Sequence, residues 1–466
     1  LDTGDNREGE NVLKHLADYF FLRIAKCTNV IMMTVSFGIC WFYFYSLQIY
    51  SSIEDVGNGI VIFLFCALYI IFAKIYDAFF ISQSSISELI FSQILAVLIT
   101  DGFLFLIMIL LKKGIPAILP FIIMFAVQCL IAVLWAYISH RGYFIFYRPK
   151  RSVIIYRHED RINPLIHEYG LEKQFEIEQT ESVTECLLHM ERLNTYEAVF
   201  LTNLHSHERN VILKHCVAHD IEVYVMPRIG DVIMKSAKQI HLLHLPIYQT
   251  NGYSPSPEYL LLKRLFDIIA SCIAVLFLSP VMLATAFAIK LEDKGPVLYK
   301  QRRYTQHGRI FDIYKFRSMK TDAEKDGVAR LSTGDADDRV TSVGRVIRKY
   351  RIDELPQLFN IIKGDLSICG PRPERPEIAE LYEKELPEFR LRLLAKAGLT
   401  GYAQVYGKYN TSPYDKLQMD LMYLANPGFW QDLCIMFATL KVLFTPESTE
   451  GIQDGSITAM KEEMEK

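Results

Sequence analysis

Four long apolar runs follow one another in the first third of the chain: residues 28–48 (TNVIMMTVSFGICWFYFYSLQ), 58–80, 88–111 and 116–138. Each is about 20 residues or longer, the length a helix needs to cross roughly 30 Å of hydrocarbon. One such run could be a core helix, but four in succession predict a transmembrane bundle over residues 28–140, preceded by a cytoplasmic segment 1–27. Flanking charge orients the bundle. Lys14, Arg23 and Lys26 precede it, Arg141, Arg148, Lys150 and Arg151 follow it, and the loop between the first two spans has no Lys or Arg. Both ends are therefore expected on the cytoplasmic face. Lys112 and Lys113, in the predicted outer loop, run against the rule without reversing the total. Asp101 falls mid-span, where charge is costly. A partner inside the bundle is the preferred expectation, with a conduction or lipid site as the alternative.

A fifth apolar stretch, IIASCIAVLFLSPVMLATAFAI, runs from Ile268 to Ile289 and holds Ser279-Pro280 at its middle. Proline removes an amide donor and clashes with the preceding turn, while the serine hydroxyl can satisfy a freed carbonyl. Lys263 and Arg264 lie before the stretch, and Lys290, Lys294, Lys300, Arg302 and Arg303 lie after it. Cations on both flanks ask for the same side of the membrane. The expectation is a re-entrant hairpin over residues 263–290, broken at Ser279 and Pro280, and the alternative is a proline-kinked full span.

Between these apolar regions, residues 151–250 change texture. SVIIYR, QFEIEQ, EAVFLT and DIEVYVMP are short strand-like runs separated by helical patterns such as SVTECLLHMERL and HERNVILKHCVAH. This alternation predicts a small doubly wound α/β domain. Its first strand-to-helix turn, YRHEDRIN, has no glycine where a pyrophosphate needs close backbone approach. A degenerate nucleotide fold with a regulatory or assembly role follows. His205, His207, His215 and His219 are read as surface or core residues rather than ligands.

Composition adds exclusions. A 51% hydrophobic content is high for a wholly soluble protein, and a net charge of -3 gives no global attraction to nucleic acid. The nine cysteines show no CxxC pair or zinc spacing, and several lie inside apolar runs, as expected of small buried hydrophobes in a reducing compartment. The chain opens LDTGDNREGE, without methionine or a cleavable signal, the pattern expected of a trimmed start.

Past residue 290 come three blocks: GPVLYKQRRYTQHGRIFDIYKFRSM, RKYRIDELPQLFNIIKGDLSICGPRPERPE and KAGLTGYAQVYGKYNTSPYDKLQMDLMYL. Cations recur in each, among them Lys300, Arg302, Arg303, Lys315, Arg317, Arg351, Lys363, Arg372 and Arg375, and glycine and proline punctuate them. That combination suits phosphates bound beside a membrane. Among such cations the adjacent carboxylates Asp353 and Glu354 can hold Mg²⁺ together with substrate phosphate oxygens, or one can attack phosphorus to form an acyl phosphate. Both roles fit one pair, although a solvated helix start would also place acidic residues ahead of a proline.

RxDELPQLxNxxKGDxSxxGPRP, preceded by YKFRSM and followed by GLTGxAQVxG, resembles the bacterial sugar transferases, in particular the large monotopic polyprenyl-phosphate phosphoglycosyl transferases. The likeness covers roughly residues 259–446. It implies transfer of hexose-1-phosphate from a UDP-sugar, commonly UDP-glucose or UDP-galactose, to undecaprenyl phosphate with release of UMP, the first membrane step of capsule or exopolysaccharide synthesis. By resemblance Asp353 is the nucleophile of a covalent phosphosugar intermediate, and Glu354 helps it hold Mg²⁺. Arg372 binds phosphate, Lys315 and Arg317 contact substrate as Arg351 does beside the pair, and Asp420 matches a recurrent acidic position. The Ser-Pro break of the family's re-entrant helix falls on Ser279 and Pro280. Tyr402, Tyr406 and Lys408 depart from the family's Trp, Asn and Arg, so no role is carried over to them.

The resulting expectation is a four-helix transmembrane bundle, a Rossmann-like α/β domain, an α-rich monotopic catalytic domain over 259–446 and a tail over 447–466. The protein is expected in the bacterial inner membrane, multi-pass, with its catalytic domain cytoplasmic and in contact with membrane lipids. A homodimer is a further expectation. Two rivals stand. A membrane-tethered nucleotide-sugar dehydratase needs a glycine-rich turn and a Tyr-xxx-Lys pair, and the pair noticed here, Tyr259 and Lys263, lies at the hairpin entrance. A non-enzymatic regulator of polysaccharide export would leave the α/β domain as the working part.

Overall fold

The computed structural model describes residues 4–46, 55–157, 162–250, 252–320, 339–407 and 411–443, with side chains from residue 20 in the first helix and from residue 57 in the second. Lys408, the side chain of Lys14, the middle of the YRHEDRIN turn, most of the first loop and the tail 447–466 lie outside these residues. The fold divides into two compact units, Leu1–Met226 and Pro227–Lys466.

In the first unit, helices α1 (Gly4–Cys40, continued by a π-helical turn Trp41–Tyr45), α2 (Asp55–Ile75), α3 (Ile86–Lys112) and α4 (Ile118–Phe146) carry the four predicted runs. All four contain stretches long and apolar enough to cross a membrane. Several polar groups within them pair inside the bundle, as an apolar surround favours. Asn29 Nδ2 donates to Gln93 Oε1 at 2.8 Å, Tyr69 Oη to Asn29 Oδ1 at 2.6 Å, and Gln93 Nε2 to the Ala78 carbonyl at 3.1 Å. Asp101 is buried in the bundle interior, with Gln128 of α4 beside it.

The α/β part follows: β1 (Lys150–Tyr156), α5 (Asn163–Glu168), β2 (Phe175–Ser182), α6 (Val183–Leu188), β3 (Ala198–Thr202), α7 (Ser206–Ala218) and β4 (Glu222–Val225). The strands form one parallel sheet in the order β2-β1-β3-β4. Val153 and Ile155 enter one core and Ile154 the other, which is why SVIIYR reads as an unbroken apolar run. At the carboxyl ends of β1 and β3, where strand order reverses and doubly wound folds bind ligands, Arg157 pairs with both Glu208 oxygens at 2.6 and 2.7 Å.

Sequence texture alone put residues 151–250 in one domain, but the sheet stops at Val225 and residues from Pro227 group with the second unit. The cause is burial. Val232 of α8 (Ile229–Lys235) packs with Ile378, Tyr382, Phe389, Leu417 and Leu421. An antiparallel hairpin, β5 (Lys238–Leu242) and β6 (Leu245–Gln249), follows.

Helix α9, Pro257–Asp293, organises the second unit. It runs through Ser279-Pro280 as a single element rather than as two separate limbs. Pro280 removes the amide that would reach the Leu276 carbonyl, and Ser279 Oγ donates to that carbonyl at 2.9 Å. One face of α9 is bound to the body formed by residues 298–443 along its whole length, about 55 Å for 37 residues. Near its start, Tyr259 and Lys263 reach Asp432 Oδ2 at 2.8 and 2.6 Å. Arg264 donates to the Ile361 and Ile362 carbonyls at 2.6 and 2.8 Å. Asp267 accepts from Ser367 Oγ at 2.8 Å and the Ile368 amide at 3.1 Å. Further along, Ala274, Val275 and Leu278 meet Phe311, Leu358 and Ile361, and Met282, Ala286 and Ile289 meet Phe316 and Ile347. The opposite face exposes Leu261, Leu265, Leu276, Phe277, Leu283, Phe287 and Leu291.

The body itself consists of the antiparallel pair β7 (Leu298–Tyr304) and β8 (Ile310–Phe316), α10 (Ser342–Lys349), α11 (Gln357–Lys363), β9 (Ser367–Cys369) paired in parallel with β10 (Gly398–Thr400), α12 (Pro376–Glu385), α13 (Tyr402–Tyr406), α14 (Pro413–Ala425) and α15 (Phe429–Leu443). Asp267 is the test of the α9 attachment. Asp267→Ala is expected to destabilise the second unit by about 2–4 kcal/mol, because two donors lose their acceptor in a buried site, and Asp267→Asn by less. Thermal unfolding of the detergent-solubilised chain checks this, and an alanine variant melting with the parent would remove α9 as the organising element.

Candidate active site

The chain approaches the candidate site through α10, which ends at Tyr350. Arg351 then adopts a left-handed conformation, φ 52°, that turns the backbone into a 3-10 turn, Ile352–Glu354. Asp353 and Glu354 sit on this turn, immediately ahead of Pro356 and α11. The far end of α11 closes at Gly364, φ 99°, where the Arg264 guanidinium covers the last carbonyls. Asn360, fully buried, stitches α11 to β8: its Nδ2 donates to the Asp312 carbonyl at 2.8 Å and its Oδ1 accepts from the Tyr314 amide at 2.9 Å. The register of Lys315 on β8 is thereby fixed against the carboxylate turn.

Two cations converge on one oxygen. Lys315 Nζ lies 2.8 Å from Glu354 Oε1, and Arg372 Nη2 lies 2.9 Å from the same atom. Burial pushes the Glu354 carboxyl up, but Lys315 and Arg372 outweigh it and hold the group well below the usual carboxylate range. The Arg351 charge acts in the same direction. Asp353 differs. Among the described residues no hydrogen bond reaches its carboxylate, and burial pushes it up to about 6, with Lys315 opposing and the Glu354 charge adding to the rise. Two neighbours in sequence are thus separated electrostatically: one anchored as a permanent anion, the other unencumbered and more basic.

Arg372 is held from behind. Its segment lies along β10 through the Gly370 amide to Thr400 carbonyl bond at 2.9 Å and the Gly398 amide to Pro371 carbonyl bond at 2.9 Å. A Cβ on Gly398 would stand 2.2 Å from the Gly370 nitrogen, so only glycine permits this backbone contact. Arg392 Nη2 donates to the Arg372 carbonyl and Arg303 Nη1 to the Pro373 carbonyl, each at 3.0 Å. The Glu374 carboxyl, pushed up by burial, is brought down to about 2 by Lys416, Arg392 and Arg303.

Of the residues singled out by sequence, Lys315, Arg351 and Arg372 are gathered around Asp353 and Glu354. Arg317 is placed elsewhere: it is buried, pairs with Asp293 at the end of α9, and packs so closely that a Cβ on Gly295 would stand 2.0 Å from its Nη1. Asp420 is fully buried and pairs with Arg392 Nη2 at 2.6 Å, away from the carboxylate turn. Lys263 and Arg264, the cations ahead of the fifth apolar stretch, are engaged inside the protein, and Tyr259 and Lys263 share Asp432. Asn360, Glu374 and Arg392 escaped the sequence reading. Glu374 had one signal, its place directly after GPRP, whereas Arg392 lies in an undistinguished EFRLRLL.

Among the described residues no group of three or more His, Cys, Asp or Glu side chains is arranged to hold a metal ion. Mg²⁺ needs fewer, one or two carboxylates with substrate phosphates completing its shell. The unbonded carboxylate of Asp353 beside Glu354 fits that requirement.

A bacterial sugar transferase family model matches residues 258–446. The chain is 41% identical over 236 residues to a UDP-N-acetylgalactosamine-undecaprenyl-phosphate N-acetylgalactosaminephosphotransferase of Aeromonas hydrophila, covering 50% of this chain and 55% of that protein. It is 37% identical over 268 residues to an undecaprenyl-phosphate galactose phosphotransferase of Salmonella typhimurium, covering 53% and 54%. It thus spans about half the length of these curated relatives. With a UDP-glucose:undecaprenyl-phosphate glucose-1-phosphate transferase of Caulobacter vibrioides it shares 38% identity over 191 residues, 40% of this chain and 71% of that one. Since that match takes in most of the Caulobacter protein and the family model covers α9 and the body it is bound to, the chain belongs to the bacterial sugar transferase family.

Proposed function

We propose that this chain transfers hexose-1-phosphate from a UDP-sugar to undecaprenyl phosphate through a phosphosugar carried on Asp353. The observation that carries the reading is the unequal treatment of the two carboxylates: Lys315 and Arg372 immobilise Glu354, and Asp353 is left free to react. An oxygen of Asp353 attacks the sugar-bearing phosphorus, a bond to that phosphorus forms, and its bond to the bridging oxygen breaks as UMP leaves. A phosphate oxygen of the lipid then attacks the same phosphorus, and the bond to Asp353 breaks to restore the carboxylate. Arg372, partly exposed beyond its bond to Glu354, is available to bind phosphate oxygens. When Mg²⁺ is bound, Asp353 and Glu354 hold it and it supplies charge neutralisation at the phosphates. The relatives named above act with N-acetylgalactosamine, galactose and glucose, which supports a UDP-sugar donor.

α9 supports a membrane placement. A helix attached to one body at both ends does not set those ends on opposite sides of a bilayer, and its two flanks are basic. The reading is that α9 enters one leaflet by its exposed apolar face and returns, with the catalytic body cytoplasmic. The isoprenoid, which leaves hydrocarbon at a cost of about 0.8 kcal/mol per CH₂, is met at headgroup level. The α/β part, its ligand crevice occupied by the Arg157–Glu208 pair, fits an assembly or regulatory role.

Asp353→Asn is expected to reduce UMP release from UDP-sugars by about a thousandfold or more and to abolish the mass increase of one hexose phosphate seen when donor is supplied without lipid. Release at the parent's rate would remove Asp353 as the nucleophile. UMP release should rise with pH through about 6 as Asp353 loses its proton. Glu354→Gln removes a negative neighbour and so moves that limb to lower pH, whatever it does to the maximum rate; a limb that stays in place would detach it from Asp353. Lys294→Cys should react with an impermeant thiol reagent in inverted but not in right-side-out vesicles, and labelling from outside would refute the re-entrant placement.

A further inference from the structure

Behind the candidate site lies a second, buried group of charges. Arg392, on the 3-10 segment Pro387–Leu394, is 2% exposed, and Asp420 of α14 is completely buried. The Arg392 guanidinium makes three connections: Nη2 to Asp420 Oδ2 at 2.6 Å, Nη1 to Glu374 Oε1 at 3.5 Å, and Nη2 to the Arg372 carbonyl at 3.0 Å. Arg303 holds the next carbonyl, that of Pro373. Successive carbonyls of one short segment are therefore gripped by two arginines, while the Arg372 side chain points the other way, onto Glu354.

We propose that Arg392, oriented by Asp420, is a positioning residue for phosphosugar transfer, acting through the Arg372 backbone to set the Arg372 guanidinium against Glu354 and the donor phosphate. This rests on the reading of the function given above. It also reassigns Asp420 from a substrate contact to the anchor of Arg392, because a residue with no exposed surface and a 2.6 Å ion pair has no face left for a sugar nucleotide. Purely structural cost does not explain the arrangement. Burying a charged pair is no cheaper than burying apolar side chains of similar volume, whereas a planar fork fixed by a carboxylate can direct a carbonyl with a precision that apolar packing lacks.

The test is a double-mutant cycle on the full chain in detergent, with UMP release read as kcat and KM for the UDP-sugar and thermal unfolding recorded in parallel. Arg392→Lys keeps the charge and loses the fork. Alone it should lower kcat/KM by about ten- to hundredfold, the scale of a small misplacement of a working group. In an Arg372→Ala background the same change should cost less than about twofold, since the group it positions is gone. Asp420→Asn should behave as Arg392→Lys does. Equal losses in both backgrounds, or losses that track the melting temperature alone, would overturn the inference. Should the parent chain release no UMP from any UDP-sugar, the functional reading falls, and the positioning is still judged by phenylglyoxal modification of Arg372 followed by peptide mass spectrometry. Severalfold faster modification in Arg392→Lys supports it, and an unchanged rate refutes it.

Discussion

The grip of α9 on the segment around residues 361–368 is the constraint from which the rest of the second unit follows. Arg264 caps the carboxyl end of α11, Asp267 holds the start of β9, and the amino end of α11 carries the carboxylate turn. An apolar helix and the Asp353–Glu354 pair are thereby fixed to each other through one short element. Three polar groups that bond the body, Tyr259 and Lys263 to Asp432 and Asp267 to Ser367 and Ile368, recur every four residues, so they occupy a single face and leave the other apolar. Were those groups unpartnered in a lipid surround, each would cost several kcal/mol. Their pairing makes so apolar a helix compatible with so polar a body.

Electrostatics then separates two chemically similar side chains. Asp353 and Glu354 share a turn and a set of cations, yet only Glu354 receives direct bonds from Lys315 and Arg372. A direct charge-assisted bond outweighs burial, and a more distant charge does not, which is why the two carboxyls shift in opposite directions. Lys315, Arg348, Arg351 and Arg372 all act on this pair of acids.

Much of this was legible in the sequence, and the rest was hidden for identifiable reasons. Apolar runs announced α1 to α4 because lipid-length helices have no competing explanation, and β1 announced itself because a strand buried on both faces must be apolar throughout. Lys315, Arg372, Asp353 and Glu354 could be grouped because each lies in a short block with its own signature. Arg264 could not be placed: a cation beside an apolar run looks the same whether it faces a lipid phosphate or two carbonyls about a hundred residues later. The fourfold spacing of Tyr259, Lys263, Asp267 and Ser271 was the available clue that the face was bound to protein. Arg392 and Asn360 are invisible for the opposite reason, since each acts through backbone carbonyls or amides that any residue supplies. The boundary at Pro227 was missed because nothing in the sequence of α8 shows what Val232 packs against.

The half-burial of Asp353 reconciles two demands that the proposed route makes on one group. A nucleophile gains reactivity as its basicity rises, but a carboxylate raised far above neutrality would be protonated and inert. Burial raises Asp353, and the surrounding cations stop the rise near 6, so the group is more basic than an exposed aspartate and still predominantly ionised at pH 7. The same enclosure bears on the second half of the cycle. On the proposed route a phosphosugar on Asp353 would be exposed to hydrolysis between the departure of UMP and the arrival of the lipid, and limited access of water would favour the slower, membrane-bound acceptor. On the proposed placement, holding the site against α9 would shorten that interval as well, because the acceptor would be concentrated in the leaflet that the helix faces.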